Sequence, residues 1–283
     1  MPSKPMTIAI TGGSGQIGRE ITGLALELGH GVVNVDRTAP PAALPGERCI
    51  QAEMSDYDAL MAAFTGCDAL IHLAAIPIPF RQPDHVVHNN NVVGSYNALR
   101  AAVAQGIMRI AQASSVNAIG HAFSRVPRYE YFPIDEAHPN HAEDAYSLSK
   151  WICEQQADAF ARLHPAVSIA SLRFHWNKTR QFARASYANG PLPLEKHLWA
   201  YVDPKAGARA ALAAVLTDLN GHEVFYITAP DTTEDIPSRT LAARHFPQVP
   251  IRGDFTGNAS FFNATKAERL LGWNHDPIAK VSP

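Results

Sequence analysis

The chain has 283 residues and a formal net charge of −2, with 24 Lys and Arg against 26 Asp and Glu; it is long enough for a large α/β core and carries no basic field for nucleic acid. Cys49, Cys67 and Cys153 form no C-x-x-C pattern, which points to reduced thiols and a cytoplasmic protein rather than a disulfide framework. No apolar run reaches the roughly 18 residues of a membrane span, and positions 1–6 lead straight into an apolar strand, so neither a membrane partner nor a secretory signal is expected.

Thr7–Thr11 is a short β-branched run, the pattern of a buried parallel strand. Gly12, Gly15 and Gly18 follow in G-x-x-G-x-x-G spacing. A helix is predicted over 16–28, with Ile17, Ile21, Leu24 and Leu28 on one face, and a second strand over 32–35 finishes at Asp36. Gly12 permits a tight turn out of the strand, Gly15 leaves the backbone bare to a pyrophosphate, and Gly18 lets helix and strand pack closely. The helix N-terminus offers N–H groups to phosphate. Asp36, about 20 residues on, can accept hydrogen bonds from a ribose diol. Together these features predict a dinucleotide site. Asp36 would repel a 2′-phosphate and favours NAD, whereas Arg37 can swing over to pair with one, so NADP stays open.

A proline-rich connection spans 38–46, followed by a strand over 48–52 and a helix over 56–64 with Ser55 as N-cap. Residues 68–74 are a fourth apolar strand and 76–83 a loop with three prolines. A long helix is predicted over 84–105 and a fifth strand over 109–113, running into Ser114-Ser115. Residues 116–144 form a long irregular segment, of the kind that is usually functional. A helix over 144–163 and a sixth strand over 167–172 complete the alternation. Apolar strands alternating with helices predict an α/β doubly wound parallel sheet covered on both faces. Residues 1–173 are read as a dinucleotide-binding domain. Residues 174–283 are read as a small substrate-binding lobe packed over the strand ends: loop-like over 174–200, helical over 203–216, a strand over 223–228, then short elements.

Tyr146 and Lys150 lie four apart on one helix face. A fixed cation beside the phenol predicts that its pKa falls from near 10 toward working pH, making Tyr146 a general acid/base for an alcohol or carbonyl. Ser115, at the end of the fifth strand, can hydrogen-bond the reacting oxygen, and a strand-end turn is the alternative reading of Ser114 and Ser115. His85 with His88, and His138 with His141, lack a third ligand, so no metal is expected.

In these residues the chain resembles the extended short-chain dehydrogenase/reductases, the NAD-dependent epimerase/dehydratase type. The matching residues are 11–18 (TGGSGQIG), Asp36, His72-Leu73-Ala74-Ala75, Asn91-Val92-Val93-Gly94-Ser95, Ser114-Ser115, Tyr146 with Lys150, Leu172-Arg173 and the closing Gly272-Trp273. The resemblance implies a Rossmann-type domain with Ser115, Tyr146 and Lys150 as catalytic residues and Lys150 also holding the nicotinamide ribose. It places Gly12, Gly15, Gln16, Ile17 and Gly18 at the cofactor phosphates and Asp36 and Arg37 at the adenosine ribose. Leu73, Ala74 and Ala75 line the cofactor channel, and Asn91 supports the helix or a relay water. It also implies a homodimer formed through the helices over 84–105 and 145–164.

Departures from the pattern narrow the chemistry. Val116 and Asn117 stand where dehydratases of the family carry an acidic pair, and Trp176 stands where sugar epimerases carry an asparagine. Ser114-Ser115-Val116-Asn117-Ala118-Ile119-Gly120 looks similar to the uronate dehydrogenase-like members, whose substrate-binding positions correspond to Pro77, Val116 and Trp176 here. Arg180 or Arg184 can be read as a carboxylate clamp or as solvated loop arginines. Tyr129, Tyr131, Phe132, Trp176 and Trp199 suit a less polar substrate or plain packing of the lobe. The expectation is an oxidoreductase that moves hydride between NAD and a hydroxyl or carbonyl of a small substrate, a sugar or sugar acid. An NAD-retaining sugar epimerase is the alternative.

Overall fold

The computed structural model describes residues 4–190 and 192–276. Met1–Ser3 of the stretch before the first expected strand, Pro191 of the expected loop and residues 277–283 of the expected lobe lie outside them.

β1 (Thr7–Thr11), β2 (Gly31–Asp36), β3 (Glu47–Gln51), β4 (Ala69–His72), β5 (Arg109–Ser115), β6 (Ser168–Phe174) and β7 (Gly221–Ile227) form one sheet in the order β3-β2-β1-β4-β5-β6-β7. Every pairing in it is parallel. Strand residues alternate between the two faces: Ile8 and Ile10 enter one core and Ala9 the other. The first core packs against α1 (Gln16–Glu27) and the alanine-rich α6 (Pro204–Leu216). The second packs against α2 (Tyr57–Ala63), α3 (Asp84–Ala104) and α4 (Ala145–Leu163). Among the described residues no helix is long and apolar enough to cross a membrane. Cys49, Cys67 and Cys153 are free thiols.

Most predicted elements stand within two or three residues of their places. The N-cap of α2 is Asp56, whose carboxylate accepts from the Ala59 N–H at 3.0 Å, and not Ser55. Residues 174–200 are not simply loop: α5 (Arg180–Ala188) lies within them, capped by Thr179, and buries only Ala183 and Tyr187. α7 (Ser238–His245) is equally short and polar. Both are shorter than the windows of about 11–18 residues over which helical periodicity is counted.

Residue 173, the expected boundary, lies near the end of β6. β7 pairs with β6 along its whole length, and α6 covers the sheet beside α1, so both belong to the sheet layers. The remaining lobe has its own aromatic core, with Phe132, Trp199, Phe255 and Phe261 all buried. A 3-10 turn over Val116–Ile119 joins that core to the sheet. The closing segment docks through Trp273, whose indole N–H donates to the Ala206 carbonyl at 2.9 Å.

Candidate active site

β1 leads through α1 to β2 on one side, while its other neighbour β4 is reached through α2 on the opposite face. The C-terminal ends of β1 and β4 therefore part at a crevice, where open α/β sheets bind ligands. A cavity of about 830 Å3 runs along these ends.

At one end its wall is largely backbone. Gly12 has φ +72°, and its N–H donates to the Val35 carbonyl at 2.9 Å, tying the turn to β2. A Cβ on Gly18 would run into the Gly12 carbonyl oxygen and the Gly13 backbone, so close packing there requires glycine. A Cβ on Gly15 would meet only the Gly12 carbonyl oxygen, at 3.2 Å. Packing alone does not demand glycine at 15; its bare backbone faces the cavity. Gly15 is also the N-cap of α1 and supplies no side-chain acceptor, leaving first-turn N–H groups free for an anion. The Asp36 carboxylate is held by the Ser14 N–H and the Thr38 N–H, both at 3.1 Å, and Arg37 lines the wall beside it. Leu73, Ala74 and Ala75 border the channel. These features fit a dinucleotide: a phosphate cradle, then a fixed acid one strand away.

Farther along, β5 runs out to Ser115, whose Oγ accepts from the Asn117 N–H at 3.1 Å. Asp144 caps α4 by accepting from the Ser147 N–H at 2.9 Å. Tyr146 and Lys150 thus fall in the first turns of that helix, both only 6% exposed and both on the cavity wall. The Lys150 ammonium stands 5.9 Å from the Tyr146 ring centre and donates to the Ala113 carbonyl at 2.7 Å.

The expected fall in the Tyr146 pKa is not found. Burial pushes the phenol up to about 12, the neighbouring Ser115 hydroxyl opposes this in part, and Asp144 adds to the rise. Lys150 does not reverse the shift, because its charge is turned onto a backbone carbonyl and burial lowers its own pKa.

Ser114 borders the cavity too, but its hydroxyl is engaged. Its hydroxyl donates to Glu154 at 2.6 Å, and Glu154 holds Arg173 through two hydrogen bonds of 2.9 and 2.8 Å. This buried ion pair anchors β5, β6 and α4 to one another beneath the cavity.

The cavity wall includes Ser115, Tyr146, Lys150, Gly12, Gly15, Gln16, Ile17, Asp36, Arg37 and residues 73–75. Pro77, Val116, Asn117 and Trp176 also line it. Gly18 stands behind the turn. Asn91 is buried off the wall, where it accepts from the Ile76 N–H at 2.8 Å and donates to the Ser149 hydroxyl at 3.0 Å, holding the β4–α3 loop to α4. Arg180, expected as a carboxylate clamp or a solvated loop arginine, does not line the cavity. Arg180 lies on α5 and donates to Asp235 at 2.8 Å and to the Thr232 carbonyl at 3.0 Å. Arg184 is paired with the same Asp235, at 2.9 Å. Tyr129, Phe132 and Trp199 pack in the lobe core, Tyr131 is buried against Asp135, and of the five predicted aromatics only Trp176 lines the cavity.

Sequence reasoning missed an imidazole and aromatic wall built from His121, His175, His197, Phe80, Phe123 and Tyr187. Phe80 packs edge-on against Phe123, and Phe123 against Tyr146, with ring centres 5.5 and 5.7 Å apart. His121 and His175 stand 6.0 Å apart, and His197 stacks on Tyr187 at 4.2 Å. Burial holds all three imidazoles neutral, taking His175 to about 3 and His197 to about 4 and His121 well below its ordinary value. One signal was available: His175 directly follows β6 and His121 follows the turn after β5, both beyond the ends of adjacent parallel strands.

The model of the NAD dependent epimerase/dehydratase family matches residues 8–176. The chain is 31% identical over 170 residues to the uronate dehydrogenase of Agrobacterium fabrum, a match covering 58% of this chain and 60% of that one. It is 29% identical over 226 residues to the L-arabinose 1-dehydrogenase (NAD(P)(+)) of Haloferax volcanii, covering 75% and 84%. The chain thus spans less than two thirds of the uronate dehydrogenase it matches. A solved structure of a mutated uronate dehydrogenase superposes with a TM-score of 0.71 at 20% identity, over 98% of this chain and 84% of that one, which shows the shared fold.

Proposed function

The chain belongs to the NAD dependent epimerase/dehydratase family, and from that premise we propose that it is an NAD-dependent dehydrogenase oxidising one hydroxyl of a small sugar. The observation that carries this reading is the meeting of Ser115, Tyr146 and Lys150 on the wall of the same cavity that begins at the glycine turn. Gly12, Gly15, Gln16 and Ile17 hold the cofactor phosphates, and Gly18 lets the turn close behind them. Asp36 binds the adenosine ribose and disfavours a 2′-phosphate, with Arg37 beside it. Residues 73–75 line the channel, and Asn91 fixes the loop that follows them. NAD, when bound, accepts the hydride from the carbon bearing the reacting hydroxyl.

The chain's own groups handle the proton. Ser115 Oγ fixes the substrate oxygen, and Tyr146 Oη takes its proton in oxidation or returns it in reduction. Lys150 Nζ lies one helical turn away, on the same cavity wall, where it holds the nicotinamide ribose. Because burial raises the Tyr146 pKa to about 12, the resting phenol is ready as a proton donor for carbonyl reduction. Oxidation needs it ionised. Turnover in the oxidative direction is therefore expected to climb with rising pH, while the reductive direction stays level and falls only at the alkaline end. Initial rates in both directions across a pH series check this.

Relatives named as dehydrogenases support net oxidation, whereas the family description also allows an epimerase. Sugar oxidation with stoichiometric NADH supports the dehydrogenase. Appearance of an epimer with no NADH released establishes the alternative. Exposed Val93 and Tyr96 on α3, with Leu163 on α4, support a homodimer through these two helices.

A further inference from the structure

At the glycine turn the cavity is roofed by a segment that comes from the far side of the sheet. β6 lies three places from β1 in the strand order, about 14 Å away at the usual strand spacing. Residues 176–178 follow β6 and cover that distance. The Gln16 side-chain amide donates to the Asn177 carbonyl at 3.3 Å, and the Lys178 ammonium donates to Gln16 Oε1 at 2.6 Å. The crossing is fixed from behind: the Lys178 N–H donates to the Val202 carbonyl at 2.9 Å, and the Val202 N–H to the Trp176 carbonyl at 3.2 Å. Gln16 opens α1 directly after the Gly15 N-cap, so Lys178 stands beside the N–H groups left free for an anion.

Lys178 is half-buried, with its ammonium 5.9 Å from the Trp176 ring centre and 4.8 Å from that of Phe182. One of its three N–H groups goes to Gln16, and the other two have no partner among the described residues. The remaining cations around the cavity stand elsewhere. Arg19 is paired with Glu47 at 2.6 and 2.8 Å, and Lys150 donates to the Ala113 carbonyl. Arg37 flanks Asp36 at the ribose end of the wall. Arg81 adjoins Phe80, which packs through Phe123 toward Tyr146. Residues 12–18 contain no Lys or Arg, so without a cation from outside the turn two phosphate charges would meet backbone dipoles alone.

We propose that Lys178 is a further cofactor ligand: an ammonium brought in by the segment after β6 to pair with the diphosphate of NAD, with Gln16 holding it over the turn. The proposal rests on the placement of the cofactor phosphates at residues 12–17 given above. Backbone N–H groups fix where a phosphate sits, and a point charge on a flexible stem offsets the repulsion of seating two of them side by side. Contact with the faces of Trp176 and Phe182 holds the ammonium near the groove, so less rotamer freedom is left to lose on binding.

The test is calorimetric titration of the full chain with NAD at low and high salt. Lys178→Met removes the charge and keeps an unbranched apolar stem against Trp176 and Phe182. It is expected to weaken NAD about tenfold in dilute buffer, with the gap narrowing to about threefold in about 0.5 M NaCl. Lys178→Arg is expected to restore most of the affinity. Lys266→Met, which removes an equal charge from α8, where Lys266 pairs with Glu223 at 2.7 Å, should leave NAD binding unchanged. An unchanged affinity in Lys178→Met overturns the proposal, and so does an equal loss in Lys266→Met. A loss that is the same at both salt concentrations and that Lys178→Arg fails to restore overturns it too, since that reports a damaged roof and not a missing charge. The two readings separate in the unmodified protein. Failure to bind NAD there removes the phosphate placement itself, whereas tight binding with no loss in Lys178→Met defeats this proposal alone.

Discussion

At the glycine turn the cavity is walled by backbone from one continuous stretch, residues 12–17, with a single acid fixed by two N–H groups. Beyond Tyr146 it is walled by rings from separate segments: Phe80 before α3, His121 and Phe123 after β5, His175 and Trp176 after β6, Tyr187 on α5 and His197 in the lobe. The first wall recognises charge and shape common to any dinucleotide. The second is built from side chains whose positions depend on how the lobe seats on the sheet. The contrast separates a wall set by local backbone from one set by packing between distant segments, His121 and Tyr187 among them being buried.

Several substitutions would break or sharpen this contrast. The largest effect is expected at the boundary between the two ends. Tyr146→Phe should lower kcat by roughly 100- to 10,000-fold, the usual range for a lost general acid/base, while NAD titration shows a nearly unchanged affinity. An undiminished kcat would remove Tyr146 from the chemistry.

Next comes the support beneath both ends. Glu154→Leu leaves Arg173 buried without its partner, and about 3–5 kcal/mol of stability should be lost in urea unfolding. Adding Arg173→Leu should return much of it, because an apolar pair of similar volume avoids the stranded charge.

Two alanines separate packing from binding at the glycine end. Gly18→Ala forces a Cβ onto the Gly12 carbonyl and should cost about 1–3 kcal/mol in the same assay. Gly15→Ala meets only one atom, at 3.2 Å. It should cost less than about 1 kcal/mol of stability yet weaken NAD binding about tenfold, read by titration. The smallest effect belongs to Arg180→Ala. Its partners are lobe carboxylates and carbonyls away from the cavity, so sugar KM should hold and stability should change by less than about 1 kcal/mol.

What was legible in the chain follows from how local each feature is. Continuous apolar strands, the G-x-x-G-x-x-G turn, Asp36 at the end of β2 and the four-residue spacing of Tyr146 and Lys150 all act within one or two elements, and each stood on the page before any coordinates. α5 and α7 escaped notice because they are short, 9 and 8 residues, below the window over which helical periodicity is counted. The place of β7 was unreadable for a different reason: nothing in residues 221–227 says which strand they will pair with, and only the packing of α6 beside α1 brings them to β6. Arg180 looked available as a clamp because Asp231 and Asp235, more than fifty residues on, come beside it only when the lobe closes.

By itself the sequence determined the doubly wound sheet, the glycine turn after β1 and the spacing of Tyr146 and Lys150 on one helix, because periodicity and backbone freedom act over short distances along the chain. Only the tertiary structure decided that burial raises the Tyr146 pKa, that Arg180 and Arg184 pair with Asp235, and that His121, His175 and His197 share one cavity wall. Burial, charge pairing and desolvation depend on which distant segments exclude water from one another, and that is a property of the folded arrangement alone.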